Sequence, residues 1–169
     1  MQKIAKFSKV SWEQFVKDWR EEYGTDDEVI RKIYCGIDVP KRATKGSAGY
    51  DFFSPIRFTL APGNTIKIPT GIRCDMNEDW VLMCFPRSGL GFKYRLRLNN
   101  TVGIIDSDFA FSDNEGHIFI KLTNEGDYPM VIKAGDGFAQ GIFVQYGITE
   151  DDNCDGIRNG GFGSTTKSK

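Results

Sequence analysis

Between Ser11 and Tyr23 the apolar side chains Trp12, Phe15, Val16, Trp19 and Tyr23 recur at the spacing that puts them on one face of a helix. Ser11 and Gln14 stand as a capping box at its start, and Gly24 followed by Asp26, Asp27 and Glu28 marks its end. One amphipathic helix is predicted here. Val29 to Cys35 satisfies either a second short helix or a strand, and the strand is the favoured reading. Beyond residue 30 the helical period gives way to short β-type runs: Ile56 to Leu60, Thr65 to Ile68, Trp80 to Phe85, Ile118 to Leu122 and Phe138 to Val144. Pro62-Gly63, Asn77-Glu78, Asp113-Asn114-Glu115-Gly116 and Gly135-Asp136-Gly137 separate them as turns. Many short strands without helical stretches between them predict an all-β sandwich, jelly roll or barrel.

Composition refines this picture mainly by exclusion. A chain of 169 residues, 40% hydrophobic and 27% charged, fits one domain with a buried core. A formal net charge of −1 gives no footprint for gripping a phosphate backbone, so nucleic acid is not an expected partner. The longest apolar run, Trp80 to Phe85, is far short of the roughly 18 residues of a membrane span. Met1 to Val10 alternates Lys with apolar residues and lacks the apolar segment of a secretory signal, so the expected location is cytoplasmic. Cys35, Cys74, Cys84 and Cys154 contain no C-x-x-C pair, which argues against a zinc site and fits a reducing compartment. His117 is the one histidine and is read as a solvent-facing strand residue.

Five segments carry candidate chemistry. Ala43 to Asp51 surrounds a carboxylate with small residues that permit a tight turn. Pro86-Arg87-Ser88-Gly89-Leu90-Gly91 offers a guanidinium, a hydroxyl and glycine N–H groups suited to phosphate oxygens, although an Arg-Ser pair in a loop is commonly plain surface. Asn100 to Phe109 is an apolar strand with Gly103, leading to Asp106, Asp108 and an aromatic ring. Its carboxylate suits a general base toward water, and a turn-forming Asp-Ser-Asp is the equally simple structural reading. Ala134 to Gln140 reads as a turn feeding a strand, with Gln140 able to reach a phosphate. The tail from Arg158 to Thr165 is glycine-rich, yet its Arg, Phe, Ser and Thr suit a clamp closing over a nucleotide triphosphate.

The order and spacing of these five segments resemble the motifs of the trimeric, all-β deoxyuridine triphosphatase (dUTPase) family, over roughly Pro40 to Thr165. The fold implied is a dUTPase-like distorted jelly roll or β-barrel with an N-terminal amphipathic helix extension. The division expected is residues 1–30 as helical extension, 31–157 as β domain and 158–169 as a flexible nucleotide-closing arm. The activity implied is Mg²⁺-dependent hydrolysis of dUTP to dUMP and pyrophosphate, which limits uracil in DNA and supplies dUMP for dTMP synthesis. By resemblance, Asp106 activates the attacking water and Asp51 holds the metal through water, while the substrate phosphates supply the other metal ligands. Arg87, Ser88, Gly89 and Gln140 resemble phosphate-binding positions; Asn100, Gly103 and Ile105 resemble the uracil-reading hairpin; Phe109 packs under the sugar and excludes a 2′-hydroxyl. Arg158, Phe162, Gly163, Ser164 and Thr165 resemble the closing arm. The family's sites are shared among the subunits of a homotrimer.

This sequence departs from the family pattern at four places. Phe109 replaces a tyrosine, residues 110–115 lengthen the turn after the third motif, Gly137 replaces a commonly basic residue, and Arg158 lies one residue nearer the glycine pair. Two other readings are weighed: a dCTP deaminase-like enzyme, which requires a glutamate near the hairpin, and a regulatory binding protein of the same fold. The N-terminal helix, if its Trp12 and Trp19 were unpacked, would offer a surface for a protein partner.

Overall fold

The computed structural model describes residues 2–158 and residue 160. In chain order, β1 (Ala5–Lys9) precedes α1 (Trp12–Tyr23) and α2 (Asp27–Cys35). The β elements that follow are β2 (Tyr50–Phe53), β3 (Phe58–Leu60), β4 (Thr65–Pro69), β5 (Ile72–Met76) and β6 (Trp80–Pro86). After α3 (Ser88–Tyr94) come β7 (Leu96–Leu98), β8 (Gly103–Ile105), a 3-10 turn (Ser107–Phe111), β9 (Phe119–Asn124), β10 (Met130–Ile132) and β11 (Gly137–Gln145). Every strand pair is antiparallel, and the ladders are β2-β11-β6-β8, β4-β9-β7, β1-β5 and β3-β10. The fold is thus mostly β, as the run of short strands predicts. No helix of the described residues is long and apolar enough to cross a membrane.

The helix α1 forms where its periodicity places it. The Ser11 hydroxyl accepts the Gln14 N–H at 3.1 Å, and Gly24 closes the helix in the left-handed region at φ 59°, its N–H bonded to Arg20 O. The reciprocal half of the capping box is absent: the Gln14 amide donates to Asp18 at 2.8 Å, and the Ser11 N–H goes instead to Glu115. Segment 29–35 is a helix and not the favoured strand. Asp26 caps it by accepting from Glu28 N–H, and Ile30, Ile33 and Tyr34, spaced three and four apart, turn toward the core.

Both helices lie on the β framework of their own chain. Phe15 and Trp19 are fully buried with ring centroids 5.2 Å apart and planes tilted by 33°, and the Tyr23 hydroxyl donates to Lys67 O of β4. Trp12 packs edge-on against Tyr34 and under the Arg31 guanidinium. The apolar face that suggested a protein partner is therefore covered within the chain, each large side chain so buried contributing about 1.5–3 kcal/mol. The close approach requires Gly71, at φ 74°, because a Cβ there would stand 2.4 Å from Ile37 Cδ1 and 3.2 Å from the Phe15 ring. β1, which local pattern does not reveal, joins this layer by pairing with β5 from Ala5↔Met76 to Lys9↔Ile72.

His117 is fully buried and not solvent-facing. Its Nε2 accepts the Gly71 N–H at 2.7 Å, so the ring hydrogen sits on Nδ1, which donates to Asp18 of α1 at 2.6 Å. Burial pushes its pKa below 6.5, outweighing the opposite pull of Asp18 and Glu115. With the folded value depressed, the unfolded chain takes up a proton first on acidification, so this share of stability is complete above pH 6.5 and is lost below it. Urea unfolding is expected to weaken between about pH 6.5 and about pH 5.5 with a slope of up to about 1.4 kcal/mol per unit, and His117→Asn to lack that slope. A wild-type profile flat over this interval would contradict the neutral, buried imidazole.

Candidate active site

The candidate residues gather in two clusters at opposite ends of β6. At the end of that strand Arg87 caps α3, with Ser88 and Gly89 in its first turn. Arg87 Nε lies 3.1 Å from Asp51 Oδ1 on β2. Gln140 on β11 faces Asp51 in register and donates to Pro86 O at 3.0 Å. Gly49 permits that arrangement, since a Cβ on it would stand 2.6 Å from Gln140 Oε1. Gly137 makes room in the same way: a Cβ there would lie 2.8 Å from an Arg87 guanidinium nitrogen, so a larger residue would displace Arg87. Motifs one, two and four are brought together as a half-exposed cation and hydroxyl beside a largely buried carboxylate.

The second cluster grows from β8. Gly103 and Ile105 pair with Cys84 and Leu82 of β6, and Asp106 follows at the start of the 3-10 turn. Asn100 O accepts the Val102 N–H at 2.7 Å and shapes the hairpin tip, where Thr101 adopts φ 67°. Asn100, Gly103 and Ile105 line one cleft of about 540 Å³ together with Cys84 and the segment Ile118 to Lys121. Burial pushes the Cys84 thiol up to about 12, so it stays protonated. Phe109 is buried, while the Asp106 and Asp108 carboxylates are half-exposed.

Arg158 joins this second cluster and not the first. Its guanidinium binds Asp106, reaches Asp108 Oδ1 at 2.7 Å and lies 5.8 Å over the Phe109 ring. Phe162, Gly163, Ser164 and Thr165 lie outside the described residues. Among the described residues no group of three or more His, Cys, Asp or Glu side chains could hold a metal ion. A cation in the first cluster would draw on a single carboxylate of this chain, Asp51, with oxygens of the ligand and water completing its shell.

Register measures the separation of the clusters. Leu82 opposes Ile105, so Asp106 stands level with Val81, six residues before Arg87. At about 3.3 Å per residue this is roughly 20 Å along the strand. A base acting through one water must approach the reacting phosphorus to within about 6–7 Å. Arg87 is held by Asp51 at one end of the strand and Asp106 by Arg158 at the other, so within one chain the two groups belong to different clusters.

The sequence motifs name neither Glu115 nor Ser11, which the structure joins, nor Arg73, which donates to Ala110 O in the 3-10 turn at 2.8 Å. These pairs are separated widely in sequence and carry no local pattern.

A dUTPase family model matches residues 36–166. The chain is 41% identical over 142 residues to a deoxyuridine 5'-triphosphate nucleotidohydrolase of Lactococcus lactis, covering 82% of this chain and 95% of the relative. It is 37% identical over 140 residues to one from Shewanella baltica, covering 78% and 89%. Among solved structures, a dUTPase from Streptococcus mutans superposes with a TM-score of 0.62 at 31% identity, over 85% of this chain and 98% of that one. A mutant dUTPase from phage phi11 of S. aureus, described as revealing coordination of a structural Mg(II) ion, superposes with a TM-score of 0.62 at 19% identity, over 91% and 98%. These comparisons show that the chain belongs to the dUTPase family.

The hairpin floor is closely packed, since a Cβ on Gly103 would stand 3.1 Å from Cys84 Cβ. Gly103→Val is expected to overpack it and lower stability by about 1–3 kcal/mol in thermal unfolding. An unchanged melting temperature would contradict that contact.

Proposed function

We propose that this protein hydrolyses dUTP to dUMP and pyrophosphate in active sites divided between copies of the chain in a homotrimer. The observation that carries this reading is the sequence of groups along one short stretch: the hairpin residues Gly103 and Ile105, the half-exposed Asp106 carboxylate and the buried Phe109 ring. A base-reading hairpin, a general base and a wall beneath the sugar are thereby fixed to one another, in a chain of the dUTPase family.

In this mechanism the cleft of Asn100, Gly103 and Ile105 receives uracil, and unpaired polar groups would reject the reversed donor–acceptor edge of cytosine. Phe109 lies beneath the deoxyribose and leaves no space for a 2′-hydroxyl. The Arg87, Ser88 and Gln140 cluster of a neighbouring copy binds the triphosphate, with the first-turn N–H of Gly89 assisting. Asp106 takes a proton from water as its oxygen attacks the α-phosphorus; the bond from that phosphorus to the α–β bridging oxygen breaks, and pyrophosphate leaves. Asp51 would hold Mg²⁺ through water, and the ion would supply charge neutralisation and alignment of the triphosphate. That assignment draws on the solitary Asp51 carboxylate beside Arg87. Arg158, with Phe162, Gly163, Ser164 and Thr165, closes over the bound nucleotide.

The deaminase reading is disfavoured by Glu115. Its two carboxylate oxygens accept from the Ser11 N–H and hydroxyl at 2.8 and 2.6 Å, which commits the glutamate after the hairpin to α1.

Pyrophosphate release measured on dUTP, dCTP, UTP and dTTP, with Mg²⁺ or EDTA, tests this function. Release from dUTP alone, dependent on the metal and reduced about 10²–10⁴-fold or more by Asp106→Asn, is expected. Ammonia release from dCTP without pyrophosphate release from dUTP would sink it.

A further inference from the structure

The N-terminal helix and the lengthened turn 110–115 both fall outside the common motif pattern, and the structure bonds them to each other. Ser11, at the start of α1, gives both its N–H and its hydroxyl to Glu115. Two positions on, His117 gives its Nδ1 hydrogen to Asp18, about two turns along the same helix. Glu115 adopts φ 58°, a left-handed conformation unfavourable to a residue with a side chain; the bonds from Ser11 hold it there together with those from Glu115 N–H to Ser112 O and from Gly116 N–H to Asn114 Oδ1.

That backbone supports the turn carrying the site. A Cβ on Gly116 would stand 2.6 Å from Ala110 Cα and 2.8 Å from Phe109 O, so the 115–116 segment lies directly against the 3-10 turn. Ser112 donates both its N–H, at 3.1 Å, and its hydroxyl, at 2.6 Å, to Phe109 O. Phe109 N–H in turn bonds Asp106 O at 3.1 Å. An unbroken series of short contacts thus runs from the start of α1 through Glu115 to the backbone of Phe109 and Asp106.

We infer that Glu115 is a positioning residue: braced by Ser11 of the N-terminal helix, it fixes the turn Ser107–Phe111 so that the Phe109 ring excludes a 2′-hydroxyl. The inference rests on the proposed dUTP hydrolysis and on the role given there to Phe109. It assigns to the N-terminal helix a part in choosing between deoxyribose and ribose, through a turn it touches and not through the substrate. A loosened turn would let the ring retreat, admitting UTP while uracil recognition by the hairpin persists.

The test measures kcat and KM for dUTP and UTP on the full chain, with Glu115→Ala, Ser11→Ala, Glu115→Gln and, as a stability control in β10, Ile132→Val. Glu115→Ala is expected to reduce the preference for dUTP over UTP about tenfold, mainly through a lower KM for UTP. Ser11→Ala should shift it less in the same direction and decides the matter if Glu115→Ala fails to fold. Glu115→Gln, still able to bond Ser11, should recover most of the preference, and Ile132→Val should lower the melting temperature without altering it. With Phe109 already replaced by Ala, Glu115→Ala should change the preference no further, because its effect passes through that ring. A wild-type enzyme selective for dUTP whose folded Glu115→Ala and Ser11→Ala variants keep full selectivity overturns the inference alone. A wild-type enzyme that hydrolyses dUTP and UTP alike removes the role of Phe109, and the inference with it.

Discussion

Strand β6 constrains everything else in this molecule. It is paired along its whole length with β11, from Trp80↔Gln145 to Pro86↔Ala139, and with β8 over only Leu82 to Cys84. Its last residues therefore lead past β8 into Arg87 and α3, while β8 runs the other way and delivers Asp106 level with its beginning. Antiparallel pairing fixes this arrangement, because a slip of one residue would turn the buried Leu82 and Cys84 outward. The cation and the carboxylate of the proposed chemistry are thus held about 20 Å apart by the same ladder that holds the core together. Separation within the chain is the physical reason to place a complete site between chains.

Around this ladder the remaining elements close the core and stiffen the ends. The layer of β1, α1 and α2 buries Phe15, Trp19 and Ile30 against the strands. Beside the β1–β5 ladder and the Glu22–Lys67 ion pair, three side-chain hydrogen-bonded links tie it down: Tyr23 to β4, Asp18 to His117 and Ser11 to Glu115. Two of these three end in the segment that follows the 3-10 turn, so the helix that local pattern reads as an appendage is tied to the half of the site carrying Asp106 and Phe109. At the other half, glycines at 49 and 137 leave the space in which Gln140 and Arg87 lie. Each half is set by close packing and not by a flexible loop.

The sequence makes much of this legible because much of it is local. The periodicity of α1, its Ser11 cap and its Gly24 terminus all appear as predicted, as do β4, β6, β9 and β11 within a residue or two. β1, β2, β5, β7 and β10 escape notice because they are three to five residues long and depend on partners distant in sequence. Segment 29–35 is ambiguous from its few apolar positions alone, and the Asp26 cap with burial of Ile30 decides it as helix. His117 is misread because its partners, Asp18 and Gly71, are brought to it only by the fold. The five motifs are recognisable in order, yet their order does not reveal that Asp106 and Arg87 stand at opposite ends of a strand. Spatial separation is a property of strand register, which sequence pattern alone does not supply.

The division of the site between copies is tested most directly by complementation. Asp106→Asn chains and Arg87→Ala chains, each inactive alone, would be unfolded together, refolded as an equal mixture and assayed for dUTP hydrolysis. If the base and the phosphate-binding arginine of each site come from different chains, random assembly restores about a quarter of wild-type activity. If both come from one chain, every site in the mixture is defective and the mixture stays as inactive as its components, which would contradict the account.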